Sequence, residues 1–341
     1  MSRSRLIQTL AIMTILAIAI SFIPLPYYIS TPGKATVLAP MVEVEGTQDN
    51  QEGSFMLTTV RMGPANPFNY LFAQFQNYTN IYPEEQIRRD DQTDEEYEFY
   101  QLNLMEGSQE AAIQVAYENA GKPFEVEYNG IYVVSVVEGM GAEGVLEVAD
   151  RIVKIDGNSF ASSQEFIDYV EGMQAGDTIE VEFQRDGKTL TDTLELQTFE
   201  NNPGKVGLGI SLVDDKEIDP DPDVTILSED IGGPSAGLMF SLQIYDMLTE
   251  GDLTKGYAIA GTGEIAVNGK VGPIGGIGQK IVAADNAKAE IFLAPNEEGA
   301  ADSNYSVAVE TAKDIGTDMK VVPVDTFEDA LEFLQSLEER S

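Results

Sequence analysis

Two glycine-rich stretches in the last third of the chain each run into a helix-forming segment, and each places one reactive side chain at the junction. The first is Gly232-Gly233-Pro234-Ser235-Ala236-Gly237, followed by Leu238, Phe240, Leu242, Ile244, Tyr245 and Leu248. The second is Gly272-Pro273-Ile274-Gly275-Gly276-Ile277-Gly278-Gln279-Lys280, followed by Ile281, Val282, Ala283, Ala284 and Ala287. Short apolar strands alternate with these helices, so the fold class is α/β (α+β). Glycine lets backbone approach a substrate without a Cβ. A helix start leaves amides free to stabilise an oxyanion, and proline sets the angle into the first turn. Ser235 is then either a nucleophile or merely the cap of a core helix. Lys280 is not placed by dipole logic, which favours acids at a helix start. Burial and the like-signed helix end would both lower its pKa toward that of a general base.

Composition narrows the chemistry. The 341 residues include no histidine and no cysteine. That removes Ser-His-Asp triads, thiol nucleophiles, disulfides and His- or Cys-ligated metal. The formal net charge of -38 repels nucleic acid. The runs Asp214-Asp215 and Asp219-Pro220-Asp221-Pro222-Asp223 lack the spacing and closing glutamate of a calcium loop, and read as solvated acids.

Arg3 and Arg5 precede an uncharged, mostly apolar run from Leu6 to Ile23, ended by Pro24 and Pro26. Such a run just spans a hydrocarbon core. The basic flank puts residues 1–5 in the cytoplasm, 6–24 as a transmembrane anchor and the rest outside, with Tyr27 and Tyr28 at the outer interface. A cleaved signal peptide competes with this reading, but the small-residue cleavage pattern is missing after the run.

Residues 27–121 form a first unit. Val37–Val44 and Phe55–Arg61 read as strands, Glu84–Glu98 as an exposed loop or surface helix, and Glu110–Ala120 as a helix stopped by Gly121. Residues 122–198 form a second unit. It has strands at Ile131–Val137 and near Arg151–Ile155, a helix capped by Ser162 or Ser163, and a hairpin turning at Asp186-Gly187. This order resembles a PDZ domain. By that resemblance Asn129, Gly130 and Ile131 would hold a peptide's terminal carboxylate, and the next strand would add the peptide to its edge. Ala149 stands where the family usually has glycine. A PDZ unit that is only a spacer is the plain alternative.

Residues 206–341 carry the two glycine stretches, beginning with Val206–Val213 as a kinked strand. Gly-Pro-Ser-Ala-Gly, then Thr262-Gly263-Glu264-Ile265, Gly269-Lys270-Val271, Pro273-Ile274-Gly275-Gly276 and a helical lysine resemble the proteolytic domain of Lon over about residues 206–300. The resemblance implies a Ser235–Lys280 dyad supported by Thr262, with Gly233, Pro234 and Ala236 around the oxyanion. It also implies that the PDZ unit is inserted within a split Lon-like domain, whose first part ends with the helix at Met105–Ala120. The layout as a whole is similar to the membrane-anchored Lon-like PDZ proteases of Gram-positive bacteria (YlbL/SepM type). The expected activity is an ATP-independent serine endopeptidase acting on extracytoplasmic peptides or unstructured segments. No cofactor or metal is called for, and a hexamer is implied by resemblance alone. A catalytically silent PDZ/Lon-like scaffold is the rival reading.

Overall fold

The structure is a computed structural model, which describes residues 7–8, 12–13, 20–47, 52–88, 92–160, 162–199, 202–228 and 231–340. The first unit comprises β1 (Tyr27–Val37), β2 (Val42–Val44), β3 (Ser54–Pro64), α1 (Pro67–Ala73), β4 (Asn80–Pro83) and α2 (Asp94–Ala120). Then follow β5 (Phe124–Val136), β6 (Arg151–Ile155), α3 (Ser163–Glu171), β7 (Thr178–Arg185), β8 (Lys188–Glu195), β9 (Gln197–Phe199), β10 (Asn202–Gly207) and β11 (Ile210–Pro220). The last part holds β12 (Val224–Ile226), α4 (Gly237–Leu248), β13 (Ala258–Gly261), β14 (Glu264–Ile265), β15 (Val271–Gly272), α5 (Ile277–Asn286), β16 (Ile291–Pro295), α6 (Asn304–Ile315), β17 (Lys320–Val324) and α7 (Phe327–Gln335).

One six-stranded sheet, in the order β17-β16-β13-β3-β1-β4, is assembled from both ends of the chain. β13 runs parallel to β3 and to β16, while β1 is antiparallel to β3. Strand alternation gives the sheet two apolar faces. Phe55, Leu57, Ile291 and Leu293 join Tyr117 of α2, Phe240 of α4 and Phe327 of α7 on one face. Met56, Phe292 and Ala294 meet Ile277 and Ile281 of α5 and Ala308 of α6 on the other. Each fully buried aromatic contributes about 2–3 kcal/mol. α4 and α5 therefore lie on opposite faces, and their N-terminal ends meet where β13 stops.

The second sheet, β11-β5-β6-β7-β8, is antiparallel with its own core, which includes Ile131, Val133, Ile152, Phe166, Val181 and Leu194. Its hairpin turns at Asp186 and Gly187, both at positive φ (51° and 72°), as a two-residue turn of this twist requires. Val206–Val213, expected to open the catalytic part, belongs here instead. β11 pairs along β5 from Ile210↔Val136 to Pro220↔Phe124, so the unit is closed at its neck by its own first and last strands.

Two further expectations change. The helix before the insertion begins at Asp94, because Thr93 and Glu96 form a reciprocal capping box and Met105 is buried. Tyr27 and Tyr28 belong to β1, where Tyr28 is buried and Tyr27 packs at a tilt against Tyr70. Among the described residues no helix is long and apolar enough to cross a membrane. Most of the expected anchor at 6–24, namely residues 6, 9–11 and 14–19, lies outside the described residues.

Candidate active site

Ser235 sits two residues ahead of α4. The N-cap is Ala236, and it makes no side-chain capping bond. The side chain of Ser235 instead meets Lys280, whose Nζ donates to Ser235 Oγ at 2.7 Å. The loop that presents the serine is fastened on both sides. Gly233, at φ +85°, donates its N–H to the carbonyl of Gln101 at 2.8 Å. Ser108 Oγ donates to the carbonyl of Pro234 at 2.8 Å. On the far side, Gly263 N–H and Thr262 Oγ1 both donate to the carbonyl of Ser235, each at 2.9 Å. Gln101 and Ser108 lie on α2, and neither stood out in the sequence.

Lys280 is the fourth residue of α5, and it is only 2% exposed. Burial in this apolar setting pushes its pKa down to about 7. Its other partner is Thr262 Oγ1 at 2.9 Å, itself fully buried. Thr262 therefore touches both expected catalytic residues. Of the residues expected around the oxyanion, Gly233 has its N–H occupied by Gln101, and Pro234 has no N–H. Those of Ser235 and Ala236 have no hydrogen-bond partner among the described residues. The candidate oxyanion donors thus narrow to these two.

The serine and lysine open onto a cleft of about 630 Å³. One wall is β3 from Leu57 to Met62 and the other is Ile231–Ala236. β13 pairs with β3 only as far as Leu57, so among the described residues the rest of β3 has no strand partner on the side toward Ser235. Lys34 and Arg61 line the cleft, and among the described residues no aspartate or glutamate does.

The carboxylate loop expected at Asn129, Gly130 and Ile131 is not a loop. These residues lie within β5, flanked by β11 on one side, with Ile131 paired to β6 on the other, so their backbone is not open to a ligand. Gly130, at φ +140°, instead lets β5 pass the carbonyl of Ile152, which an added Cβ would approach to 2.4 Å. The open groove lies between α3 and the start of β11. It holds about 150 Å³ among Phe166, Ile167, Val170, Ile210 and Leu212. Its floor is Gly207-Leu208-Gly209-Ile210. Gly209 is at φ +78°, and a Cβ there would fall 2.3 Å from Met140 Cβ. Two glycines around a leucine ahead of a strand were a visible signal for this groove. β11 is the edge strand of its sheet, open to one more strand.

Residues 228–336 match the Lon protease (S16) C-terminal proteolytic domain. Residues 120–196 match the PDZ domain family. The Lon protease of Campylobacter concisus is 38% identical over 100 residues, covering 29% of this chain and 11% of that protein. The Lon protease of Campylobacter jejuni is 34% identical over 102 residues, covering 30% and 12%. The chain thus spans only about a tenth of the length of these curated relatives. Among solved structures, the PDZ domain of an SdrC-like protein from Listeria monocytogenes is 40% identical, covering 26% of this chain and 93% of that one, with a TM-score of 0.25. The chain carries a Lon-type proteolytic domain and a PDZ domain.

Proposed function

We propose that the protein is a serine endopeptidase working through a Ser235–Lys280 dyad without ATP, held at the outer face of a membrane by residues 6–24. The observation that carries this reading is the contact of a buried lysine, its pKa near 7, with an uncapping serine at 2.7 Å. Neutral Lys280 takes the proton of Ser235 Oγ as that oxygen bonds to the substrate's carbonyl carbon. The amides of Ser235 and Ala236 receive the negative carbonyl oxygen. The C–N bond then breaks, and Lys280 returns the proton to the departing amine. Water, deprotonated by the same amine, adds to the acyl-enzyme and releases the acid.

The substrate lies extended along the free edge of β3, as an added strand. That geometry suits short or unstructured segments, and the sequence holds no Gly-x4-Gly-Lys-Ser/Thr loop for nucleotide. The groove at Gly207–Ile210 selects substrates or partners by a terminal carboxylate. A ring of subunits, hexameric by resemblance, accompanies the reading.

The test is cleavage of a mixed peptide library by the full chain, compared with Ser235→Ala, Lys280→Ala and Lys280→Arg. Wild type cleaves and all three variants are silent, since arginine keeps its proton. Cleavage that survives Ser235→Ala refutes the dyad. A wild type that cleaves nothing over a range of pH and salt supports the scaffold instead.

A further inference from the structure

Charged residues make up 23% of the chain, yet residues 6–33 and 62–83 contain none. The fold brings the described parts of these two stretches to one end of the molecule. β1 pairs with both β3 and β4. Ile29, Ala65 and Ala73 form a small core there, closed by Leu25, Tyr27, Tyr70 and Ile81. Leu25, just past the end of the apolar N-terminal run, donates its N–H to the carbonyl of Ala65 at 2.8 Å.

The outer side of this end is apolar and open. Phe68, Leu71, Phe72 and Phe75 are 38%, 55%, 63% and 80% exposed. A helix facing water puts polar or charged residues outward, and α1 does the reverse. A groove runs from Phe68 and Phe72 past Met62 to Ser21, so the patch is continuous with the last turn of the N-terminal run. Phe22 and Ile23 are exposed there as well.

We propose that α1 and Phe75 lie in the headgroup layer of the bilayer, beside the point where the chain emerges. This rests on the reading of Leu6–Ile23 as an anchor. The short tie from Leu25 to Ala65 holds α1 against the emerging chain. Phenylalanine, tyrosine and amide side chains without carboxylates suit that layer. A strongly acidic protein approaches a phospholipid surface most readily by a face poor in acid; the carboxylates at the border of this one are engaged, Glu84 by Arg88 and Asp314 by the Tyr78 hydroxyl. Arg61, exposed at the rim of the same groove, adds a partner for lipid phosphate. It also lines the catalytic cleft, so the cleft opens close to the membrane and favours segments lying near it.

The chain has no cysteine, so single labels are unambiguous. The full chain carrying Phe72→Cys or, as reference, Lys188→Cys is labelled with an environment-sensitive fluorophore. Each is reconstituted into vesicles of phosphatidylcholine and phosphatidylglycerol. The label at 72 is expected to shift to the blue, and to be quenched several-fold more by brominated acyl chains than the label at 188. Quenching of both labels by aqueous iodide, with none by brominated lipid, overturns the inference. So does efficient disulfide formation between copies at position 72 without lipid quenching, which makes the face a subunit contact. Release of the chain by alkaline carbonate refutes the anchor and this inference together. A chain that resists extraction while position 72 stays in water refutes this inference alone.

Discussion

Thr262 Oγ1 can meet Lys280 Nζ, 2.9 Å away, only as an acceptor, because its own proton is already donated to the carbonyl of Ser235. A neutral amine has two N–H bonds and one lone pair. With one N–H held by Thr262, the lone pair is free to turn toward Ser235 Oγ. In the proposed mechanism the threonine thus orients the base and, through the same oxygen, the backbone of the nucleophile.

Activity is expected to follow the neutral fraction of Lys280. With a pKa of about 7, kcat/KM rises about tenfold per pH unit below that value and levels off above it. The sign follows from the base having to lose its proton before it can accept one. A rate that falls as pH rises from 6 to 8 contradicts the assignment.

Replacing Thr262 with valine keeps the shape and removes both hydrogen bonds. A drop in kcat of about 10- to 100-fold is expected, the worth of a hydrogen bond that becomes charge-assisted as Lys280 takes the proton in the transition state. KM changes little, since Thr262 is fully buried. Steady-state kinetics on one peptide separates the two parameters.

Arg61 and Lys34 make the cleft attractive to acidic side chains. Peptides with aspartate or glutamate beside the scissile bond are expected to exceed their amide counterparts by about two- to fivefold in kcat/KM. Arg61→Glu reverses the preference. Competition between paired peptides reads this directly.

Binding of a C-terminal peptide is expected to depend on the groove between α3 and β11. Ile167→Glu abolishes it, whereas Asn129→Ala leaves it unchanged, because Asn129 lies inside β5. Isothermal titration with free and amidated peptides measures both effects.

Ala149 stands at φ +70°, next to Asp150, which is buried and paired with Arg185. A Cβ is disfavoured in this conformation. Ala149→Gly should therefore stabilise the unit by about 0.5–1 kcal/mol, measured by urea unfolding.

What was readable in the sequence was local. The glycine turns ahead of Ser235 and Lys280, the Asp186-Gly187 hairpin and the stop at Gly121 each depend on a few adjacent residues. What was not readable depends on distant partners. The first turns of α2 are polar, and their role appears only where Gln101 and Ser108 reach the serine loop. Val206–Val213 looked like the start of a new domain because its partner, β5, lies far back in the chain. Gly130 looked like a loop residue because a positive φ inside a strand leaves the same mark in sequence.

The sheet beneath Ser235 and Lys280 also sets when the two residues can meet. Thr58 on β3 donates to the carbonyl of Gly261 on β13, across a sequence separation of 203 residues. β3 leaves the ribosome long before its neighbour exists. Meanwhile β5–β11 can form their own core, and a unit with its own core generally folds as it is made. Ser235 and Lys280 meet only after β13 closes the gap. The insertion therefore acts as a delay, so that the contact between Ser235 and Lys280 cannot form until residue 280 has been made.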